Sequence, residues 1–517
     1  MTASIRLSSA AGRWVLLSTV LGSGMAMLDA TVVNVALPRI ADEFGASMAG
    51  LQWTVNAYAL TLAGLILLGG ALGDRYGRRR VFIIGVVWFA LASALCGAAQ
   101  DISMLIAARA LQGVGGALLT PGSLAIIQAS FVPQDRARAV GAWSGLGGVA
   151  GAIGPFVGGW LVEYAGWRWV FLLNVPLALV VIAVAARHVP ETHDAQARGK
   201  FDILGATLAA LSLAGITYAL TTVAEAGANR AIVAGCAVAG VLAGVAFVIV
   251  ERRRSARALA EAGDAVPHTP APMVPTDVFA SRQFTAINAV TFVMYGAMGV
   301  VFFLLVLTLQ VVAGFSPIAA GTALLPSTVL MLLFSARSGA LAQRVGPRWP
   351  IAGGVLLAAA GMLMMTRVSE HTSYIGVVLP AATVFGAGLT LAVAPLTATV
   401  LASADERHAG VASGVNNAVA RAAGLLAVAA IPPLAGLTGD AYTNPGKFEH
   451  GFRIAILTCV ALMVVAAVLT VLTVDDDALR AAPASAAPEC RTFSTVAAPP
   501  LEPDRRVAAR GPGDGPS

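Results

Sequence analysis

Charged residues are scarce in this chain of 517 residues: only 12% are Asp, Glu, Lys or Arg, whereas 57% are hydrophobic. Soluble domains carry about 25% charged residues, so this composition excludes an ordinary soluble protein and is typical of an integral membrane protein. The mean hydropathy of +0.80 indicates the same class. The net charge of +6 does not indicate nucleic-acid binding, because the positive residues occupy short segments between apolar runs, a pattern that sets membrane topology.

Lysine is almost missing, with Lys200 and Lys447 the only two. An ATP-driven pump needs a glycine-rich phosphate-binding loop that ends in Lys and Ser or Thr, and neither lysine lies in such a sequence. Dependence on a separate ATPase stays open. The four cysteines lack metal or redox spacing, and the apolar runs hold no cluster of His, Cys and acidic residues. We therefore expect no enzyme, no metal and no cofactor.

Fourteen apolar runs are long enough to cross a bilayer as helices, which takes about 20 residues each. Helices are favoured because lipid offers no partner for backbone groups, and the runs are too long and too uniformly apolar for barrel strands. The first run continues past Asp29 to Leu37, too far for a signal peptide, and we interpret it as a retained span. The runs are 14–36, 51–72, 81–99, 103–127, 138–161, 168–186, 203–223, 231–250, 284–309, 317–341, 350–367, 373–400, 410–436 and 452–474.

The distribution of Lys and Arg predicts the topology. With the N-terminus placed in the cytoplasm, most of the 33 positive residues fall on the cytoplasmic side of the membrane. We therefore predict a multi-pass protein of the plasma (inner) membrane with both termini cytoplasmic. The residues expected on the outer side are Arg39, Arg168, Arg230, Arg367, Lys447 and Arg453.

Asp29 is the one carboxylate inside a long apolar run. An ionised Asp at the centre of a spanning helix costs about 2.5–3.5 kcal/mol, so it needs a partner or a function. Arg109, in the fourth run, lies at a similar depth by the helical rise of about 1.5 Å per residue. We expect the two charges to sense each other, directly or through water; the alternative is that Arg109 extends to the outer interface. Gln112, Gly113 and Gly116 share the helical face of Arg109.

Two glycine-rich segments carry further candidates. Between the second and third runs, spaced glycines allow close helix approach, and an aspartate can accept from an arginine or a helix N-terminus. In the fifth run, glycines form one continuous face, which serves helix packing and also allows bending or sliding. The first segment contributes Gly70, Gly73, Asp74, Arg75, Gly77 and Arg78, and the second contributes Gly147, Gly151, Gly154, Pro155, Gly158 and Gly159.

These motifs resemble those of the major facilitator superfamily, and within it the fourteen-span drug:proton antiporters. The loop Gly70–Arg80 resembles the superfamily's gate motif, G-x-L-x-D-R-x-G-R-[RK]-[RK]. The segment from Gly151 to Gly159 resembles the antiporter motif of drug exporters, and the segment around Asp29 resembles one peculiar to the fourteen-span group. The resemblance implies that Asp74, Arg75 and Arg78 control a cytoplasmic gate and that Asp29 and Arg109 couple transport to protons. The second-half copy of the gate motif is degraded, with Gln343 where an acid would fall.

The resemblance also implies an architecture: two six-helix bundles with the substrate between them at mid-membrane, plus two extra helices. The extra pair holds no motif residue, and we expect it to be peripheral and to lack buried charge. The expected segments are a cytoplasmic N-terminus 1–13, a first bundle 14–186, a cytoplasmic linker 187–202, the extra helices 203–250, a cytoplasmic loop 251–283, a second bundle 284–474 and a disordered cytoplasmic tail 475–517.

The expected function is proton-coupled export of an amphipathic drug or antibiotic, which would confer resistance. Protons and membrane lipids are the other expected partners, and nucleic acid is not. The alternative is a facilitator or symporter of another small metabolite in the same superfamily. Aromatic, amide and methionine groups would tolerate varied substrates. The predicted cavity residues are Met25, Asn34, Asn56, Gln112, Met294, Tyr295, Asn417 and Arg421, the last of which has a backbone carbonyl or cytoplasmic water as alternative partners.

Overall fold

The computed structural model describes residues 5–193, 202–225, 227–260, 274, 276–403 and 409–479. These residues form α-helices joined by short loops, with no β-structure beyond an isolated bridge between Ile5 and Phe131. The helices are α1 (Ala10–Phe44), α2 (Met48–Tyr76), α3 (Arg78–Gly97), α4 (Ile102–Ser130), α5 (Pro133–Tyr164), α6 (Arg168–Leu172), α7 (Asn174–His188), α8 (Ile203–Thr222), α9 (Arg230–Ala260), α10 (Arg282–Val311), α11 (Pro317–Thr322), α12 (Leu325–Val345), α13 (Arg348–Met365), α14 (Leu379–Ala402), α15 (Ala409–Leu434) and α16 (Pro445–Thr473).

Thirteen helical segments in the described ranges are long and apolar enough to cross a membrane, and α2, which bends by 49° between Ile66 and Leu68, makes up to fourteen. The prediction of an all-α membrane protein is therefore confirmed. Two of these spans are interrupted. The span Arg168–His188 breaks at Leu173 between α6 and α7, and the span Pro317–Val345 breaks between α11 and α12.

Several predicted boundaries differ from the structure. Helix α1 begins at Ala10, inside the expected N-terminal segment 1–13, because Ser9 Oγ accepts from the Gly12 amide at 3.0 Å and caps the helix. Helix α9 continues to Ala260, so the expected loop 251–283 begins as helix and ends in α10. Most of the expected linker 187–202, the centre of that loop and nearly all of the expected tail lie outside the described residues.

Among the described residues of 203–250 no charged side chain is buried, as expected, but buried charges lie directly beside this range. Asp202, which caps α8, and Glu251, in α9, are both buried, and Arg254 forms an ion pair with Asp202. Glu251 Oε2 also accepts from the backbone amide of Val274 at 2.9 Å. These residues lie where the apolar runs end, and partners from both helices compensate their burial, so run length and hydropathy alone conceal them.

The helices before the extra pair (α1–α7, the first half) and those after it (α10–α16, the second half) pack in similar arrangements. In the first half, α1 packs on α5, and α4 packs on α2 and α3; in the second half, α10 packs on α15 and α16, and α13 packs on α14 and α16. Helix α8 packs against α9 and also against α2 and α15, so the extra pair touches both halves. Gly64 of α2 lies against Ala210 of α8, and the rings of Trp53 and Tyr218 lie 6.3 Å apart.

Close backbone contacts hold the helices of the second half together. A Cβ atom at Gly361 of α13 would lie 2.3 Å from the Phe385 backbone nitrogen of α14, and one at Gly388 would lie 2.2 Å from the Ala358 nitrogen. Such approach matters in lipid, where helices associate through van der Waals packing more than through the hydrophobic effect. Gly353, in the same helix as Gly361, has no atom within 4 Å of its Cβ position.

The Gly361→Ala variant should be destabilised by about 1–3 kcal/mol, because the added methyl group forces α13 and α14 apart. Thermal unfolding of the purified protein in detergent measures the effect. The Gly353→Ala variant is the matched control and should unfold at or above the wild-type temperature. Equal unfolding temperatures for the two variants would contradict the close packing of α13 and α14.

Candidate functional site

A buried ion pair lies at the centre of the first half. Asp29, in the middle of α1, is 0% exposed, and Arg109 of α4 is 1% exposed. Nη1 of Arg109 forms an ion pair with Oδ2 of Asp29, and Nε of Arg109 donates to the carbonyl of Thr54 at 3.0 Å. The structure thus brings together the two charges that the sequence places at similar depth.

Two amide side chains complete the surroundings of the Asp29 carboxylate. Gln112 Nε2 and Asn174 Nδ2 donate to Asp29 Oδ1 at 2.8 and 2.9 Å. Gln112 also donates to Ser93 Oγ at 2.7 Å, and its Oε1 accepts from Arg109 at 2.5 Å. Asp29 therefore receives hydrogen bonds at both oxygens, which compensates the loss of water around an ionised carboxylate.

Aromatic rings enclose the guanidinium group. The Tyr58 ring centroid lies 4.4 Å from Cζ of Arg109, and the Phe171 centroid lies 5.7 Å away. A cation over an aromatic face in a desolvated site gains about 2 kcal/mol. The Tyr58 hydroxyl donates to the carbonyl of Ala26 at 3.1 Å, which fixes the ring.

The break between α6 and α7 positions Asn174. Leu173 separates the two helices, so Asn174 becomes the first residue of α7. The hydropathy pattern did not single out Asn174, because this residue lies inside an apolar run.

The two halves meet at one end of the bundle, called here the Gly45 end, which holds the loops after α1, α3, α5, α10 and α15. The opposite end, called the Gly77 end, holds the turns after α2 and α12. Hydrogen bonds that join the halves at the Gly45 end run from Asn34 Nδ2 to Phe302 O (3.3 Å), Gln310 Nε2 to Val35 O (3.1 Å), Gln52 Nε2 to Val428 O (2.6 Å), Ile318 N to Glu163 Oε2 (3.2 Å) and Met48 N to Gly439 O (2.7 Å).

The glycine face of α5 serves two contacts. Its members Gly147, Gly151, Gly154 and Gly158 pack on α1 within the first half, and Thr31 Oγ1 donates to the Gly151 carbonyl at 2.9 Å.

The end of this face reaches the second half. A Cβ atom at Gly159 would lie 2.5 Å from the Pro317 carbonyl oxygen of α11, and one at Gly321 would lie 2.2 Å from the Pro155 carbonyl oxygen. The end of the predicted antiporter motif, from Pro155 to Gly159, therefore contacts the partner half directly. By contrast, Gly141 and Gly145, nearer the Gly77 end of α5, and Gly339 of α12 have no atom within 4 Å of their Cβ positions.

The predicted gate residues form a turn that contacts the end of the first half. Asp74 and Arg78 form an ion pair at 2.8 Å, and the Arg78 amide donates to the Thr192 carbonyl at 2.8 Å. Gly77 has a φ of 110°, and a Cβ there would lie 2.6 Å from the Glu191 carboxylate. Gly70 lies beside Pro121 of α4, Gly73 accepts from the Gly77 amide, and Arg75 lies over the Tyr76 ring.

The second half repeats this turn. Gly346 has a φ of 90°, and its Cβ position lies 2.6 Å from Oδ1 of Asp476. Arg348 Nε donates to the Val474 carbonyl at 2.7 Å, and its Nη1 lies 3.7 Å from Asp476 Oδ2. An acid that follows the last helix of each bundle therefore lies against the turn between that bundle's second and third spans.

The predicted cavity residues lie in several different places. Met25 and Met294 are packed in the interiors of the first and second halves, and Gln112 belongs to the Asp29 cluster. Asn56 is buried in α2, and Tyr295 is partly buried in α10. Asn417 and Arg421 lie one turn apart on α15, where Arg421 Nε donates to Asn417 Oδ1 at 3.0 Å.

Asn34 lies in a different place from Arg421. Together with residues from both halves it lines a cavity of about 220 Å³, and its Oδ1 atom has no hydrogen-bond partner among the described residues. A buried polar atom without a partner inside a cavity is a typical orienting group for a ligand. The cavity is lined by Thr31, Asn34, Gly151, Pro155, Phe302, Val306, Leu324 and Thr328.

A helical membrane protein with two similarly packed halves and a buried acid between helices belongs to the class of secondary transporters. The family model of the Major Facilitator Superfamily matches residues 19–428. The chain belongs to this superfamily, and it is a transporter and not an enzyme.

Its relatives include proteins named for antibiotic resistance, export or transport. It is 34% identical to the puromycin resistance protein pur8 of Streptomyces alboniger, over 89% of this chain and 91% of that protein. It is 32% identical to the tetracenomycin C resistance and export protein of Streptomyces glaucescens, over 83% and 77%. It is 35% identical to a probable actinorhodin transporter of Streptomyces coelicolor, over 84% and 74%.

Solved structures show the same fold at low identity. A bacterial homolog of the human lysosomal transporter Spinster, in an inward-facing and occupied conformation, has a TM-score of 0.63 at 16% identity, over 90% of this chain and 97% of that one. A D-xylose-proton symporter has a TM-score of 0.61 at 15% identity, over 90% and 98%.

The Gly159→Ala variant should weaken contact between the halves at the Gly45 end, because the new methyl group meets the backbone of α11. In a cysteine-free background, the pair Glu163→Cys/Ile318→Cys reports this contact by disulfide cross-linking. The yield of cross-linked protein should fall when Gly159→Ala is added. Gly339→Ala, where the methyl group meets open space, should leave cross-linking at the level of the parent. Undiminished cross-linking in Gly159→Ala would show that this contact does not hold the halves together.

Proposed function

We propose that this protein is a proton-coupled exporter of amphipathic drugs or antibiotics in the plasma (inner) membrane, with both termini in the cytoplasm. The single observation that carries the proposal is the buried Asp29 carboxylate, bonded to Arg109, Gln112 and Asn174. The resistance and export proteins among the relatives supply the direction and the class of cargo.

The distribution of Lys and Arg supports a cytoplasmic Gly77 end. With that orientation, the halves close on the outer side, where the hydrogen bonds between them lie, and the open glycine positions of α5 and α12 face the cytoplasm. A carrier in this conformation can accept a drug from the cytoplasm or the inner leaflet. Rocking of the halves would then open the Gly45 end and release the drug outside.

Charge explains how a proton would drive release. While Asp29 is ionised, it neutralises Arg109, and Arg421 is left as a positive charge with no acidic partner among the described residues. Arg421 lies on α15, which packs against α2, the helix that carries Tyr58. A proton on Asp29 removes the neutralisation of Arg109 and makes the interior more positive, which repels a cationic or dipolar drug.

Substitution of Asp29 by Asn should abolish proton-driven transport, because the amide has the same shape but cannot exchange a proton. Drug accumulation in everted vesicles, with the proton gradient intact or collapsed, measures it. Asp101→Asn is the control, because Asn at this exposed helix cap retains the hydrogen bond to the Met104 amide. Unimpaired gradient-driven transport in Asp29→Asn would remove the proposed mechanism, and facilitated movement in the wild type without a gradient would favour the metabolite-carrier alternative.

Substitution of Asp74 by Asn should slow transport and leave drug binding and thermal stability nearly unchanged. The pair with Arg78 is partly exposed, and such pairs contribute about 0–1 kcal/mol, so its role would lie in the state closed at the Gly77 end. Binding to purified protein and transport in vesicles separate the two effects. Loss of binding with a normal transport rate at saturation would contradict a gate role.

A further inference from the structure

One partner of Asp29 has an unused acceptor. Of the two amides that donate to Asp29 Oδ1, Gln112 has its own oxygen occupied by Arg109 at 2.5 Å. Asn174 is completely buried, and its Oδ1 has no hydrogen-bond partner among the described residues. An unpaired carbonyl oxygen in a desolvated site is unfavourable, so its position directly beside a titratable acid needs a reason.

We propose that Asn174 is a positioning residue for the transported proton: its amide donates to Asp29 when the carboxylate is ionised and accepts from the Asp29 hydroxyl when the acid is protonated. The proposal rests on the proton coupling proposed above. Only the amide orientation changes between the two states, by a half-turn about the bond from Cβ to Cγ, because an asparagine side chain carries both donors and an acceptor.

The other groups around Asp29 do not supply this acceptor. Arg109 from α4 only donates. Tyr58 from α2 is bonded to Ala26, and Cys96 from α3 lies 3.8 Å from the Gln112 oxygen. Arg421, on the neighbouring α15, is a further donor and not an acceptor, and α5 meets α1 through glycines and Thr31.

The proton balance is simple. A proton from outside water forms an O–H bond at Asp29 Oδ1, the ion pair with Arg109 weakens, and no other bond is made or broken. The hydrogen bond to Asn174 holds that proton while the site is closed to water on both sides. When the Gly77 end opens, the proton leaves to the cytoplasm, and Asn174 again donates to the carboxylate.

The test compares Asn174→Leu, which has a similar size and no polar group, with Asn174→Ser, which keeps a donor and an acceptor. In Asn174→Leu each state of the acid loses one hydrogen bond: the ionised acid loses the amide donor, and the protonated acid loses its acceptor. The bond to the ionised acid is the stronger of the two, so the pH of half-maximal transport should rise by about one unit. Asn174→Ser should lie between Asn174→Leu and the wild type. A rise of about two units or more would mean that only the ionised acid loses a bond and that Asn174 acts only as a donor; such a rise, a fall or no shift would overturn the proposal.

Infrared spectroscopy of the purified protein gives a second readout that does not need transport. The carbonyl band of protonated Asp29, identified by its loss in Asp29→Asn, should move to higher wavenumber in Asn174→Leu, because a free acid has a stronger carbonyl bond. Asn174→Ser serves the same purpose if the leucine variant does not fold. Asn288→Leu removes a buried amide in the second half and should leave the band and the pH midpoint in place.

The two proposals fail in different ways. If transport by the wild type continues unchanged when the proton gradient is collapsed, the proposed function is wrong. Proton-driven transport in the wild type, together with an Asp29 band and a pH midpoint that stay unchanged in Asn174→Leu, would remove the role of Asn174 alone.

Discussion

The ion pair between Asp29 and Arg109 is the constraint on which the rest of the first half depends. Removal of one partner of a buried pair costs about 3–5 kcal/mol, because the remaining charge has no water. Two amides, a backbone carbonyl and two aromatic rings offset the burial of the pair, and they come from α2, α4, α6 and α7. One charge pair thus holds five helices in register: α1, α2, α4, α6 and α7. Any change in the protonation of Asp29 therefore acts on all of them at once, which is what coupling to a conformational change requires.

The glycine contacts of α5 allow these helices to move relative to one another. Helix α5 lies against α1 with Gly154 and Gly158 in backbone contact, and the same helix touches the second half at Gly159. Helix α5 contributes no side chain at these glycines, and Thr31 and Val32 of α1 lie directly on its backbone. Few rotamers therefore need to change when the two surfaces separate or slide. The hydrogen bonds between the halves at the Gly45 end are mostly single side-chain amides to backbone carbonyls, which water can replace when the end opens.

The sequence predicted the helical membrane class, the number of spans and the closeness of Asp29 and Arg109, because hydropathy and helical rise determine depth. It did not single out Asn174, since the break at Leu173 lies inside an apolar run and leaves no hydropathy signal. It also concealed the buried Asp202, Glu251 and Arg254, which compensate one another across α8 and α9. Partners that meet only through tertiary packing carry no periodic pattern, so a single sequence does not predict them. Roles in gating and coupling stay predictions for the same reason.

The two halves keep the same packing and differ in chemistry, and this asymmetry bears on mechanism. Helix α5 packs on α1 and α15 packs on α10, both with glycine in the contact, and each half has a positive-φ glycine that meets an acid from its own end. Among the described residues, only the first half has a buried acid in a spanning helix, and Arg421 of the second half has no acidic partner. In the proposed mechanism, rocking of the halves would change the distance between Arg421 and the Asp29 cluster more than distances within either half. The electrostatic field of Arg421 at Asp29 would then depend on which end of the carrier is open, and this would link proton affinity to conformation even before a drug binds.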